Sequence, residues 1–262
     1  MKANLILAAA LLSLGAGSAM AEDMPKPICA DRPNKAAAPC TVDAGHWQVE
    51  FDAADFTHDR TGGVTTDFGI FASTNFKYGV SKTVDLELNV TPYEVQAISG
   101  QGRVSGFGDL TARAKWAVVG GDIPVTLAPF IKIPTATRAI GNGAVEGGLV
   151  VPIGFNLPQG LSLAINPEID ALHDGAGNGT HAAYAFSAVV SHAMGPEFIG
   201  AVEVWGAENT DPAGHLHQAS FDLGLAWIPL KDQNLQLDAG TNLGLTRDTP
   251  QVNVYAGISR RF

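Results

Sequence analysis

From Ala44 onward, apolar and polar positions alternate with a period of two. That spacing belongs to β-strands whose two faces meet different surroundings. Twelve runs carry it: 46–56, 66–78, 85–93, 107–118, 124–134, 145–157, 160–172, 181–193, 197–207, 216–229, 234–246 and 251–262. In the first, Trp47, Val49, Phe51 and Ala53 oppose Gln48, Glu50 and Asp52. In the second, Phe68, Ile70, Ala72, Phe76 and Tyr78 oppose Asp67, Ser73, Asn75 and Lys77. Near the end, Leu235, Leu237, Ala239 and Leu243 oppose Gln236, Asp238 and Asn242. Each run is long enough to cross a bilayer when tilted.

The connections alternate too. Those after the second, fourth, sixth, eighth and tenth runs are tight (79–82, 120–122, 158–160, 195–196 and 231–233), whereas 99–106 and 173–180 are longer and rich in Gly, Asn and Thr. Bacterial outer-membrane barrels place short turns in the periplasm and longer loops outside. The expectation is an all-β chain, an antiparallel transmembrane β-barrel of about 12 strands with both termini periplasmic. A soluble sandwich or a lipocalin-like barrel shows the same alternation with its apolar face inward. The acidity of the polar faces and the aromatics near run ends (Trp47, Phe76, Tyr78, Trp116, Phe155, Trp227) favour the membrane. The last strand ends on Phe262, which resembles the terminal signature of outer-membrane proteins and points to the barrel assembly machinery as a partner. Arg260 departs from that signature by standing where an apolar residue is usual.

Residues 1–21 read as a secretory signal peptide, with Lys2, the short apolar stretch Leu5–Leu14 and the small-x-small site Ala19-Met20-Ala21. Residues 22–43 hold Pro25, Pro27, Pro33 and Pro39 with little periodicity, and are set apart as an extended periplasmic segment; residues 44–262 form the barrel. Cys29 and Cys40 are the two cysteines, and a disulfide is expected in an exported chain. Two thiols alone make a poor zinc site, and neither a metal nor a cofactor is expected.

The net charge of −10 argues against nucleic acid or anionic headgroups as partners. With apolar faces toward outer-membrane lipid, the opposite faces line the lumen. Its acids are Glu50, Asp52, Asp67, Asp85, Glu87, Asp109, Glu146, Glu168, Asp170, Glu203, Asp222 and Asp238, and its bases Lys77, Arg113, Lys115 and Lys132. Like charges a few ångströms apart oppose ionisation, so such an excess needs counterions or pairing. One reading is a cation-attracting passage. The other is a barrel filled by ion pairs, with Asp109, Arg113, Lys115 and Lys132 as its basic corner. His217 and Ser220 differ by three positions, so a strand puts them on opposite faces and disfavours a hydrolytic dyad. The remaining histidines are scattered without metal-ligand spacing.

Three segments carry a family resemblance. The entry Asp31-Arg32-Pro33, Pro39-Cys40-Thr41-Val42 and Gly45-His46-Trp47-Gln48-Val49-Glu50, the hairpin Phe76 to Glu87 around Tyr78-Gly79-Val80, and the strand Gly106-Phe107-Gly108-Asp109 to Lys115-Trp116 resemble the family named for a MetA pathway of phenol degradation. The resemblance implies an outer-membrane barrel of transporter type in a Gram-negative envelope and supplies no catalytic set. The expected function is a channel or facilitator for small solutes, with aromatic or other hydrophobic compounds suggested by the resemblance. The alternatives are a barrel-embedded enzyme acting on lipid and a closed structural barrel.

Overall fold

The computed structural model describes residues 28–262. The signal peptide expected over 1–21 lies outside them, as do 22–27 of the segment that follows. The described strands are β1 (Trp47–Thr61), β2 (Val64–Gly79), β3 (Val84–Val90), β4 (Tyr93–Ile98), β5 (Gly102–Gly106), β6 (Leu110–Val119), β7 (Val125–Ile133), β8 (Glu146–Val150), β9 (Ile153–Asn156), β10 (Leu161–His173), β11 (Thr180–Ala193), β12 (Phe198–Asn209), β13 (Leu216–Trp227), β14 (Leu235–Gly244) and β15 (Val252–Arg261). All pair antiparallel in one sheet, and β1 pairs with both β2 and β15, which closes it.

Three pairs are halves of single staves. β3 and β4 both pair β2, β6 and β5 continue opposite them, and β8 and β9 both lie between β7 and β10. The barrel therefore has twelve staves. Pro92 and Pro152 stand in two of the breaks, where a residue without an N–H cannot extend a ladder. The stretch 99–106, expected as a loop, is a turn at 99–101 followed by β5.

The register explains a second departure. β1 bulges against β15 between Asp52 and Ala54, and beside it Ala72 of β2 takes φ 60°. Phe71 and Phe76 are both exposed although five residues apart, an odd spacing that an unbroken strand would put on opposite faces. Beyond Ala72 the faces of β2 are therefore exchanged. Asp67 was expected in the lumen; it lies on the outer face with Phe71 and pairs with His58 at 2.7 Å. Phe68 and Ile70 turn inward in its place.

Elsewhere the barrel is apolar outside and polar inside. Leu86, Leu88, Trp116, Ile131, Val202, Leu223, Leu225, Leu237 and Val254 are exposed, while Glu50, Lys77, Lys115, Glu203, Asp222, Asp238 and Ser259 are buried. The interior is filled largely by the chain's own beginning. Residues 28–43, expected as part of an extended periplasmic segment, lie within the barrel. The chain passes between wall and lumen at the tight-turn end. There Ala44 bridges Gly79, and the Gly45 N–H donates to the Gly79 carbonyl at 2.8 Å. A Cβ at Gly79 would overlap the Asp43 carbonyl, so a residue without a side chain is needed at this crossing.

Candidate functional site

The inserted segment is a short loop tied by the Cys29–Cys40 disulfide, with Cα atoms 6.0 Å apart. Its charged side chains and free backbone groups reach the wall around much of the lumen. Asp31 accepts from the Lys77 ammonium at 2.6 Å and from Lys115 at 2.8 Å, and its backbone N–H donates to Glu50 at 3.2 Å. Arg32 pairs with Asp52 and with Asp238, the latter at 2.8 Å. Lys35 pairs with Asp222 at 2.9 Å and lies 4.8 Å from the centre of the Trp205 ring. The Lys35 and Ala36 N–H groups donate to the two oxygens of Glu203 at 2.8 and 2.7 Å. The Val42 N–H donates to Asp85 at 2.8 Å. Gln48 and Gln236 donate to the Cys29 and Arg32 carbonyls. Ala36 completes an apolar contact with Val189 and Ala201.

These bonds answer the charge problem of a narrow acidic lumen. Burying a charge is tolerable when it is paired and hydrogen-bonded. Lys77 lies among Asp31, Glu50 and Glu87. Arg113 approaches Glu87 at 3.6 Å. Nearer the long loops, Lys132 bonds Asp109 at 3.1 Å and Glu146 at 2.9 Å. The four residues expected as one basic corner thus serve three sites. Lys115 belongs to the plug, Arg113 to the middle of the lumen, and Lys132 with Asp109 to the rim. Asp31, Arg32 and Lys35 are the functional residues that strand periodicity missed, because they lie in a segment without periodicity. The visible signal was the excess of inward acids over inward bases.

Glu168 and Asp170 stand apart. They face inward from β10 with Asn166, and neither forms an ion pair within 4 Å among the described residues. Asn166 is 3% exposed, and neither its amide nitrogen nor its oxygen has a hydrogen-bond partner. One oxygen of Asp170 and the Nε of Arg113 are likewise buried and unpartnered. Among the described residues, two cavities flank the plug. One, about 380 Å³, lies between Ala36–Pro39 and a wall that includes Gly154, Ala164, Val189, Ala201 and Ala226; Gly121 and Pro124 place it at the tight-turn end. The other, about 90 Å³, is lined by Arg113, Asn166, Glu168, Ser187 and Trp205. Asp31 and Ala37 line both.

Of the histidines, His217 is exposed beside Glu208 while Ser220 is buried in the lumen, so the two stay apart. His181 is 5% exposed and bonds Asp174 at 2.8 Å. Asp211 brings a third potential ligand atom within 4.8 Å of these two, an association across loops that sequence spacing concealed. Its carboxylate accepts from the Gly175 and Ala213 N–H groups, which hold its pKa below the usual aspartate range.

The family model described as "Putative MetA-pathway of phenol degradation" matches residues 30–262. The chain belongs to this family. Among solved structures it is similar to the COG4313 outer-membrane channel of Pseudomonas putida F1, at 15% identity and a TM-score of 0.64, over 84% of this chain and 96% of that one. It is also similar to the NanC porin, at 9% identity and a TM-score of 0.52, over 82% and 98%. A third likeness is to the translocator domain of the autotransporter NalP from Neisseria meningitidis, at 13% identity and a TM-score of 0.54, over 84% and 89%. No curated protein matches the chain. The fold is that of outer-membrane β-barrels, with the apolar belt and polar interior such a barrel requires.

Proposed function

We propose that the protein is an outer-membrane channel that passes small solutes through the part of the lumen its own N-terminal segment leaves free. The observation that carries this reading is the pair of cavities flanking the plug and meeting at Asp31 and Ala37. Polar anchors hold the segment on β1, β2, β3, β6, β12, β13 and β14. The space that remains lies along β8 to β13. There the wall next to the wider cavity is largely apolar, with Ala164, Ala201 and Ala226 beside Phe155, Leu163 and Ile199, which suits solutes with a small aromatic or other apolar body, in keeping with the family's name.

The tight turns and both termini are periplasmic in this reading, so solute meets the wider cavity on the periplasmic side. Phe262 is 68% exposed, and its backbone seals the seam with Trp47 at 2.8 Å. An exposed aromatic at the closing seam supports a role in recognition by the barrel assembly machinery. Planar-bilayer recording tests the proposal. Small, discrete conductance steps are expected from the purified, folded barrel, together with liposome swelling in small neutral solutes. Folded protein that gives neither is a closed structural barrel.

A further inference from the structure

The two cavities differ in chemistry, and the narrower one holds more polar capacity than the protein itself satisfies. Asn166 offers a donor and an acceptor, both buried and both unused. A buried polar atom without a partner costs about 1–3 kcal/mol, so two on one side chain mark a place where something else supplies the bonds. The carboxylates of Glu168 and Asp170 stand on the same face of β10, in hydrogen-bond contact with each other. Two carboxylates in contact require a proton or a cation between them. Lys35 of the plug lines the same cavity but its ammonium is bonded to Asp222, and Arg32 goes to Asp52 and Asp238. The wall supplies one cation for the pair, the Arg113 guanidinium, which lines the same cavity and is shared with Glu87 at 3.6 Å, while Lys132 is held by Asp109 and Glu146. Gly148 of β8 makes room for this arrangement. A Cβ there would overlap the Asp170 carboxylate, press on the Ile169 carbonyl and crowd the Phe130 ring. The Asp170 oxygen at that spot has no partner.

We propose that Asn166, Glu168 and Asp170 form a cation-selecting site in the neck of the passage, and that its ligands are small protonated amines carrying an apolar body. The inference rests on the channel reading above. The ammonium group adds the second positive charge that two carboxylates sharing one guanidinium lack, and the Asn166 carbonyl oxygen accepts one of its N–H bonds. The apolar body then lies against the wall of the wider cavity, which includes Ala164, Ala201 and Ala226. Most of the other inward acids do not contribute in this way, because they are already bonded to the plug or to a wall cation, and Asp55 is bonded to Asn253.

The experiment is the reversal potential across a planar bilayer under a salt gradient. It is measured in potassium chloride and in benzylammonium chloride, for the wild type, for E168Q/D170N and for G148A. Folding of each variant is checked by heat-modifiable gel mobility. The expected wild-type result is a cation preference in both salts, on the order of tenfold for a single uncompensated charge at a partly hydrated neck. E168Q/D170N is expected to bring the ratio close to one while still conducting. G148A displaces the Asp170 carboxylate and should weaken the preference without removing charge. A preference left intact in E168Q/D170N overturns the site and leaves the channel standing. Benzylammonium that is excluded while potassium passes overturns the ligand class. A wild type that does not conduct overturns the channel reading and the site with it.

Discussion

Replacing Asp31 with Asn removes one negative charge from between two lysines that have almost no contact with solvent. Lys77 is 1% exposed and Lys115 fully buried. Their ammonium groups stand 2.6 and 2.8 Å from the two oxygens of Asp31. Lys77 retains Glu50 and Glu87 as partners. For Lys115 the pair with Asp31 is the one ion pair within 4 Å among the described residues, so the substitution leaves that ammonium with only the more distant Asp85 across the strand pair. Breaking a buried pair from one side costs about 3–5 kcal/mol. Some of it is recovered because Asn still accepts from the Ala38 N–H, as Asp31 does at 2.7 Å. A net loss of about 3 kcal/mol shifts the balance between seated and unseated plug roughly a hundredfold. Arg32 and Lys35 still anchor the segment, so D31N should raise conductance through more frequent opening rather than through a permanently empty barrel. Single-channel recording reads that as a higher open probability with new, larger steps. Limited proteolysis should cut the N-terminal segment faster than in the wild type. Unchanged steps and unchanged protease resistance would refute the idea that the Asp31 cluster seats the plug.

Two further outcomes test other parts of the structure. C29S/C40S opens the loop closed by the bridge; for a loop of this size the bridge contributes on the order of 3 kcal/mol in the chain-entropy account. The variant should resemble D31N in its steps while the barrel keeps its heat-modifiable mobility, and intact-mass analysis of wild-type protein should find no free thiol. Leu237 is 40% exposed on the outer face of β14, and Arg there should cost roughly 2–4 kcal/mol near the bilayer midplane; unfolding in lipid vesicles at unchanged denaturant concentration would place Leu237 elsewhere.

The barrel was legible because each strand states its surroundings locally. Leu237 and Asp238 are neighbours in sequence and meet lipid and lumen respectively, and period two repeats that statement in nearly every run. What escaped was whatever a single strand does not encode. The exchange of faces in β2 depends on Ala72 adopting a left-handed backbone, a conformation nothing in an alanine announces. Asp67 was misplaced for that reason alone. The hairpin of β4 and β5 was hidden because its Gly- and Ser-rich sequence reads as a loop until the neighbouring edge of β2 is present to pair with it.

The plug was harder still, because its bonds are set by closure of the barrel rather than by sequence proximity. Arg32 finds Asp238 across 206 positions and Glu50 across 18. The charge count was a sound clue read with the wrong weighting. An excess of acids over bases in the wall describes an empty barrel, and this barrel is not empty. Arg32 and Lys35 enter with the segment, and its backbone N–H groups satisfy Glu203 and Asp85 without adding charge. Pairing, not number, decides which carboxylates a passing ion can feel. Glu87 lies within reach of Lys77 and Arg113, so its field is largely spent inside the protein. Glu168 and Asp170 have only a share of that same Arg113, and the polar atoms around them are unsatisfied. The acidity that the sequence spreads over nine staves therefore acts on a solute mainly from one, β10.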